Sequence, residues 1–444
     1  MKRRDLIKLG GMAGLAAGTT IPVRAKAATP FAGPYWLMIS ASGGWDPTSF
    51  CDPKGRGLGP NGDCNDYAQG DVGSVGNFRY APPPDSFPGG GGLFPYQEFL
   101  INHFERLALV NGINVGTNSH RIGQQTNWTG TKTVNYPSIG ALVAARYGSD
   151  QPLPFVANNV HPSAATAGLV PRAVVSGGGL NSLREVALPE RSNVFNANAS
   201  ERYLSEAIWT EVQAVSADRR NRQQDARRLV RIQDAMRRLG DIREVDTSGM
   251  QDFVERLGTP ATPNTYVDSR NDARNLFNQA QRAFAAFEAG ITVAAQVNVG
   301  GFDTHNEHDA GQYPHLMDYF GAIDNVIQDA IDRGLGDRLI IVMASDFSRR
   351  PFLNNNNGKD HWSTGSVMVW GAPAFVTGNR VVGETDDGFL PQPLDPATLL
   401  ADNDGMVLTT EHVHQALRRI AGINSGDALD SQYSLGVDAL DLFT

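Results

Sequence analysis

The sequence predicts an α/β fold with a largely parallel sheet covered on both faces by helices. Two observations carry this expectation. Six apolar, β-branched runs, "YWLMISA", "LALVNGI", "AVVS", "ITVAAQVNV", "LIIVMAS" and "SVMVWG", are nearly continuous instead of alternating, as strands buried on both faces are. Between the fourth and fifth of them, "YPHLMDYFGAIDNVIQDAIDRG" repeats its apolar residues at intervals of three and four. A helix joining two such strands makes a strand–helix–strand crossover.

The chain opens with Lys2, Arg3 and Arg4, continues into the short apolar run "LGGMAGLAAGTTIPV", and reaches the small residues of "AKA" at Ala25–Ala27. That order is a secretory leader, and the paired arginines before Asp5, Leu6, Ile7 and Lys8 resemble a twin-arginine export signal. The expectation is a signal peptide over 1–27, a mature chain beginning near Ala28, and a periplasmic or secreted location. Residues 28–444 are expected to form one α/β domain. No second long apolar run occurs, so no membrane span is expected once the leader is removed. The net charge of −9 argues against general nucleic-acid binding. The two cysteines, Cys51 and Cys64, are close in sequence, and in an oxidising compartment they are expected to form a disulfide.

Two segments break the α/β pattern. Residues 51–92 are rich in Gly, Pro, Asp and Asn and include "APPPDSFPGGGG", which reads as a long irregular loop. Its Asp52, Asp63, Asn65, Asp66 and Asp71 suit calcium, although their spacing does not match an EF-hand; an ordinary polar loop is the alternative. Residues 200–288 read as a charged helical insertion. Within it Leu229, Ile232, Met236 and Leu239 share one stripe among arginines, either a solvated face or a docking face for an acidic partner.

Three of the predicted strands end in an acid. "YWLMISASGGWD" ends at Asp46, "VAAQVNVGGFDTH" at Asp303 with His305, and "LIIVMASD" at Asp346. In open α/β sheets ligands collect outside the carboxyl ends of the strands. Each acid alone is as well explained as a helix cap. Several carboxylates gathered together need a cation, and His305, His308, Asp360 and His361 lie in the same parts of the sequence. The expected metal ligands are therefore Asp46, Asp303, His305, His308, Asp346, Asp360 and His361. Mixed Asp and His donors suit zinc, manganese or iron better than calcium, with zinc or manganese the first expectation. A further strand leads through a polar turn to Ser119 and His120 at a helix start. There a hydroxyl is placed to attack phosphorus or sulfur, unless Ser119 or Asn118 merely caps the helix. Ser119 and His120 are thus candidate catalytic residues, with Thr117 and Thr48 as lesser nucleophiles. Arg349 and Arg350 are candidates for holding an anionic group.

The leader, "GGWD", "SH", "GGFDTH", "VMASDFSR" and "GKDHW", in that order, resemble domain-of-unknown-function family 1501, a set of exported bacterial proteins grouped with the alkaline phosphatase and sulfatase superfamily. The resemblance implies a doubly wound, largely parallel sheet sandwiched by helices, and a hydrolase-like metal centre at the strand ends. It implies Asp46 as the first-strand acid, Asp303 with His305 or His308 as the acid–histidine pair, Asp346 as the later acid and His361 as the last ligand. Phe347 stands where active members of the superfamily usually carry His, and Asp346 and Ser348 stand where the family commonly has Glu and Gly. The implied activity is metal-dependent hydrolysis of a small anionic ester, phosphate or sulfate. The alternative is a non-catalytic periplasmic protein that keeps the fold for binding or assembly with another exported protein.

Overall fold

A computed structural model describes residues 31, 33–60, 62–84, 95–149, 151, 153–158, 164–170, 172–174, 205–226, 256 and 261–444. Besides short 3-10 turns, the elements in chain order are β1 (Tyr35–Ala41), β2 (Gly73–Val75), β3 (Phe78–Tyr80), α1 (Pro95–His103), β4 (Leu107–Asn114), α2 (His120–Thr129), α3 (Ile139–Tyr147), β5 (Phe155–Ala157), β6 (Arg172–Val174) and α4 (Glu206–Ala226). There follow α5 (Thr265–Ser269), α6 (Asn271–Glu288), β7 (Ala294–Val299), α7 (His308–Asp332), β8 (Leu339–Ser345), β9 (Ser348–Arg349), β10 (His361–Trp362), β11 (Thr364–Gly371), β12 (Arg380–Val382), α8 (Thr410–Ile420) and α9 (Ala428–Gln432).

The main sheet has the order β12-β4-β11-β8-β1-β7-β5-β6. Only β11 runs against its neighbours β4 and β8; the other pairings are parallel. Every residue of β1 and β8 is buried, which is why these strands read as unbroken apolar runs. Alternate residues of β1 serve the two faces. Leu37 and Ile39 enter one core with Phe99, Phe284 and Phe320, while Trp36 and Met38 enter the other with Leu142 and Leu417. Helices therefore cover both faces, as the doubly wound expectation requires.

The register sets up the site. Ala41 of β1 pairs with Val299 of β7 on one side and Ser345 of β8 on the other. The three strands end side by side, and the segments carrying Asp46, Asp303 and Asp346 leave from the same edge of the sheet.

The expected leader over 1–27 lies outside the described residues, as does the stripe of Leu229, Ile232, Met236 and Leu239. The later part of the span read as an insertion contains α6, whose Leu276, Phe277 and Phe284 are core residues. The Gly/Pro-rich loop holds the β2–β3 hairpin and is tied down by its own polar groups. Asp52 meets Lys54 at 3.2 Å, Asp66 pairs with Arg56, and Asp63 accepts from the Gly57 amide at 2.8 Å. Among the described residues these acids form no group of three ligand atoms within common reach of an ion. The expected disulfide is corrected: Cys51 and Cys64 are free, buried thiols. Their sulfurs face different partners, Cys51 towards Asn111 and Ser366 and Cys64 towards Asn65 and Lys359, so nearness in sequence did not bring them together. Among the described residues no helix is long and apolar enough to cross a membrane.

Phe320 of α7 packs against Tyr96, Phe99 and Phe50 with ring centroids at 4.6, 5.2 and 5.4 Å, with no exposed surface. Phe320→Ala is expected to lower the free energy of unfolding by about 3–5 kcal/mol. Urea denaturation measures this, and a loss under about 1 kcal/mol would contradict the packing described.

Candidate metal centre

The turn after β1 binds the three strand ends together. Gly43 has φ +117°, and a Cβ there would lie 2.5 Å from the backbone nitrogen of Asp303. Only glycine allows both the conformation and the approach. The Gly43 amide donates to Asp346 Oδ2 at 3.0 Å, and the Gly44 and Trp45 amides donate to Ser345 Oγ at 3.1 and 2.8 Å.

Asp303 stands where the loops meet. The Nε2 atoms of His120, His305 and His361 lie 3.4, 3.2 and 3.5 Å from its Oδ1. The Nε2 atoms of His305 and His361 are 2.9 Å apart. Ligand atoms of His120, Asp303 and His361 all fall within 4.8 Å of one another. Three separate parts of the chain supply the rings: the start of α2, the loop after β7, and β10. The strand pair β9–β10 folds the last of these into place, with His361 opposite Arg349, so the "NNNNGK" stretch is the connection of a hairpin. Asn354 holds that connection to the site, donating to His305 O at 3.0 Å and Asp360 Oδ1 at 3.2 Å.

Each ring has its other nitrogen occupied. His120 Nδ1 meets Asp346 Oδ2 at 2.8 Å, His305 Nδ1 meets Asp360 Oδ1 at 2.9 Å, and His361 Nδ1 meets Asn118 O at 2.7 Å. A carboxylate or a carbonyl can only accept, so Nδ1 carries the proton in each case. In the neutral rings the Nε2 lone pairs then converge on Asp303, and those of His305 and His361 also face each other. Acceptors so close repel unless a cation lies among them.

The charges respond accordingly. The hydrogen bond to Asp346 holds the His120 pKa above its usual value despite partial burial. Burial, with the charges of Arg349, His120 and His305, pushes His361 down against its bond to Asn118 O. Burial would raise Asp303, but the Arg349 guanidinium, 2.7 Å from Oδ1, outweighs it and holds the carboxyl below the usual range. The bond from His305 lowers Asp360. The centre faces solvent, with Asp303 51% and His305 40% exposed at the side chain.

Asp346 is completely buried and is packed by α2. Gln124 Nε2 reaches its Oδ2 at 3.1 Å, Asn127 Nδ2 reaches its backbone oxygen at 2.6 Å, and a Cβ on Gly123 would stand 2.3 Å from that oxygen. Phe347 offers no donor; its ring packs on those of His120 and His361 at 4.8 and 4.6 Å.

Asp46 and His308 lie elsewhere, in a cluster without exposed surface. Lys359 Nζ is 2.6 Å and His308 Nε2 3.0 Å from Asp46 Oδ2, while Thr48 Oγ1 donates to Asp46 Oδ1 at 2.6 Å. Lys359 also donates to Asn65 Oδ1 at 2.7 Å. The cation beside Asp46 is thus a side chain of the protein. Burial raises the Asp46 carboxyl, but Lys359 and His308 outweigh it and hold it well below the usual carboxylate range. Burial, assisted by the Lys359 charge, pushes His308 down to about 4.

Ser119 occupies the N-cap position of α2, with φ −105° and ψ 121°, but its side chain makes no cap bond and it is exposed. Thr117 Oγ1 accepts from the Ser119 amide at 3.2 Å, and Thr48 is committed to Asp46. Arg350 is part-exposed and reaches Asp360 Oδ2 at 3.4 Å. The expected ligands thus divide. Asp303, His305 and His361 come together with His120, Asp346 and Asp360 stand behind them, and Asp46 and His308 form the other cluster. Sequence reading did not single out Gln124 or Lys359, and it offered Asn118 only as a helix cap. Gln124 had a signal, four residues after His120 on one helix face; a backbone carbonyl such as that of Asn118 has none.

A neutral buried His308 makes stability depend on pH. The unfolded chain protonates this histidine below about 6.5, whereas the folded chain does so only below about 4. Between these values the unfolded state binds more protons, so stability falls as pH drops through that window. Urea midpoints should decrease from near pH 7 to about pH 4.5, and less steeply in His308→Gln; parallel profiles would contradict the assignment.

The family model described as "Protein of unknown function (DUF1501)" matches residues 95–408, and the chain belongs to that family. No curated protein matches it. Among solved structures, alkaline phosphatase from the Antarctic bacterium TAB5 is 11% identical with a TM-score of 0.35, covering 88% of this chain and 99% of that one. The lipoteichoic acid synthase LtaP from Listeria monocytogenes is 9% identical, with a TM-score of 0.36 over 96% of this chain and 79% of that one. A protein in the alkaline phosphatase superfamily from Vibrio parahaemolyticus is 8% identical, with a TM-score of 0.36 over 89% of this chain and 68% of that one. These are loose likenesses in the course of the chain, and nothing about chemistry is drawn from them.

Proposed function

We propose that this member of the DUF1501 family is an exported, metal-dependent hydrolase-like protein acting on phosphate or sulfate esters, with one divalent ion held by His120, Asp303 and His361 and with His305 beside them. The observation that carries the reading is the meeting of three imidazole Nε2 atoms around one carboxylate oxygen while every Nδ1 is already engaged. Histidines that bind metals commonly donate their second nitrogen to a carboxylate or backbone carbonyl. Imidazole nitrogens together with a carboxylate oxygen suit zinc or manganese better than calcium. His120, expected from the sequence to be catalytic, is assigned to the ligand set. Asp346 and Asp360 are assigned to orienting the rings, and Asp46 and His308 to the structure.

When bound, the ion would supply Lewis acidity towards an ester oxygen and acidify a hydroxyl or water near it. The chain contributes the rest. Asp346, Asp360 and Asn118 O hold the rings in one tautomer and orientation. Ser119, exposed and free of a cap bond at the start of α2, is the candidate nucleophile, and the amides of that helix end favour an anionic group. Phe347 excludes water from one side of two of the rings. The leader over 1–27 supports export, and the twin-arginine route carries folded cargo, so an ion loaded before export would travel with the protein.

A non-catalytic binding role is the second reading. It is favoured by Arg349, which lies wholly inside the protein and offers no guanidinium to an anionic substrate.

Protein stripped of ions should take up about one equivalent of zinc or manganese. His361→Ala should abolish uptake, and Asp346→Asn should weaken affinity roughly 10- to 100-fold. The loaded protein should then hydrolyse aryl phosphates or sulfates, with Ser119→Ala losing turnover but keeping the ion. Absence of uptake by the wild type would sink the metal centre. Uptake without turnover on either ester class would favour the binding role.

A further inference from the structure

Arg349 was expected to hold an anionic group, but its surroundings point elsewhere. The side chain has no exposed surface. Its Nε donates to Gly44 O at 3.0 Å and its Nη1 to Lys359 O at 3.0 Å, and Nη2 is shared between Gly43 O and Asp303 Oδ1. Four of the five N–H donors of a guanidinium are thereby used, three on backbone carbonyls. Those carbonyls belong to two different segments, the glycine turn after β1 and the residue two before His361. The fourth acceptor is the carboxylate at the middle of the histidine cluster.

We propose that Arg349 is a positioning residue: it fastens the turn after β1, the His361 hairpin and Asp303 to one another, and does not bind the anionic part of a substrate. The role rests on the metal reading of the Asp303 cluster. The guanidinium is buried, and an anion competing for its engaged donors would displace carbonyls, each of which would then be buried without a partner. Lysine cannot substitute fully. An ammonium has three donors at one point, whereas the guanidinium spreads its donors across a planar fork. The arrangement also leaves Asp303 Oδ1 shared between the guanidinium and the imidazoles. Without Arg349 the carboxylate would lose its anchor, and the loop before His361 would lose one of its ties.

The test compares zinc binding by ion-free wild type, Arg349→Met and Arg349→Lys, with inorganic phosphate as the anion probe on protein saturated with zinc. Arg349→Met should weaken zinc binding roughly 10- to 100-fold, with Arg349→Lys recovering only part of the loss. Phosphate affinity at saturating zinc should equal that of the wild type. Should the methionine variant fail to fold, Arg349→Lys alone decides, provided its near-ultraviolet circular dichroism matches the wild type. Wild-type zinc affinity in a folded variant overturns the role, as does a loss confined to phosphate binding. A wild type that takes up no zinc overturns the metal centre itself, and the two failures are thereby told apart.

Discussion

Three carboxylates are delivered to one edge of a parallel sheet by adjacent strands, and like charges there must be neutralised before the strands can end side by side. The protein meets this constraint in three ways. Asp46 is sealed inside with the ammonium of Lys359, a buried pair whose separation would leave an uncompensated charge costing about 3–5 kcal/mol. Asp346, equally buried, is surrounded by donors: the Gly43 amide, Gln124 and His120. Asp303 alone stays half exposed, held by Arg349 on one side and facing three histidines on the other. The rest of the site follows from this division. All three acids have partners within the chain, and Asp303, the exposed one, is the one the proposed ion would reach.

Much of the fold was legible because buried parallel strands leave a plain mark. The runs that became β1, β4, β7, β8 and β11 were visible as apolar stretches, and the long helix before β8 by its spacing. The coincidence of Asp46, Asp303 and Asp346 at one edge also followed from strand-end logic. What each acid does there was not legible. Asp303, half exposed among the imidazoles, and Asp346, buried behind His120, occupy equivalent places in sequence, and only the direction of the side chain separates them. The partner of Asp46 is 313 residues away, beyond any local pattern. His120 follows β4, which is separated from β8 by the reversed strand β11, so its approach to Asp303 depends on a loop course that spacing does not encode. The cysteines misled for the opposite reason, being near in sequence yet turned to different partners.

The support behind the histidines has an energetic meaning. Rings already fixed in tautomer and orientation would lose little freedom on binding the proposed ion, so the cost of assembling the site would be met during folding. That economy relies on rigid parts: the glycine turn against Asp303, α2 against the Asp346 carbonyl, and the hairpin that returns His361. Phe347 belongs to the same scheme. It gives the site no donor, yet its ring restrains two imidazoles and keeps their inner faces dry. The side chains that look least chemical thereby hold the chemical ones in place.

The central claim is that the imidazoles of His120 and His361 and the carboxylate of Asp303 share a single ion. X-ray absorption spectroscopy on the zinc-loaded protein tests it directly. The account predicts about two imidazole nitrogens near 2.0–2.1 Å, one carboxylate oxygen at similar distance, and loss of one imidazole in His120→Ala. Sulfur scattering, or an unchanged imidazole count in that variant, would contradict it.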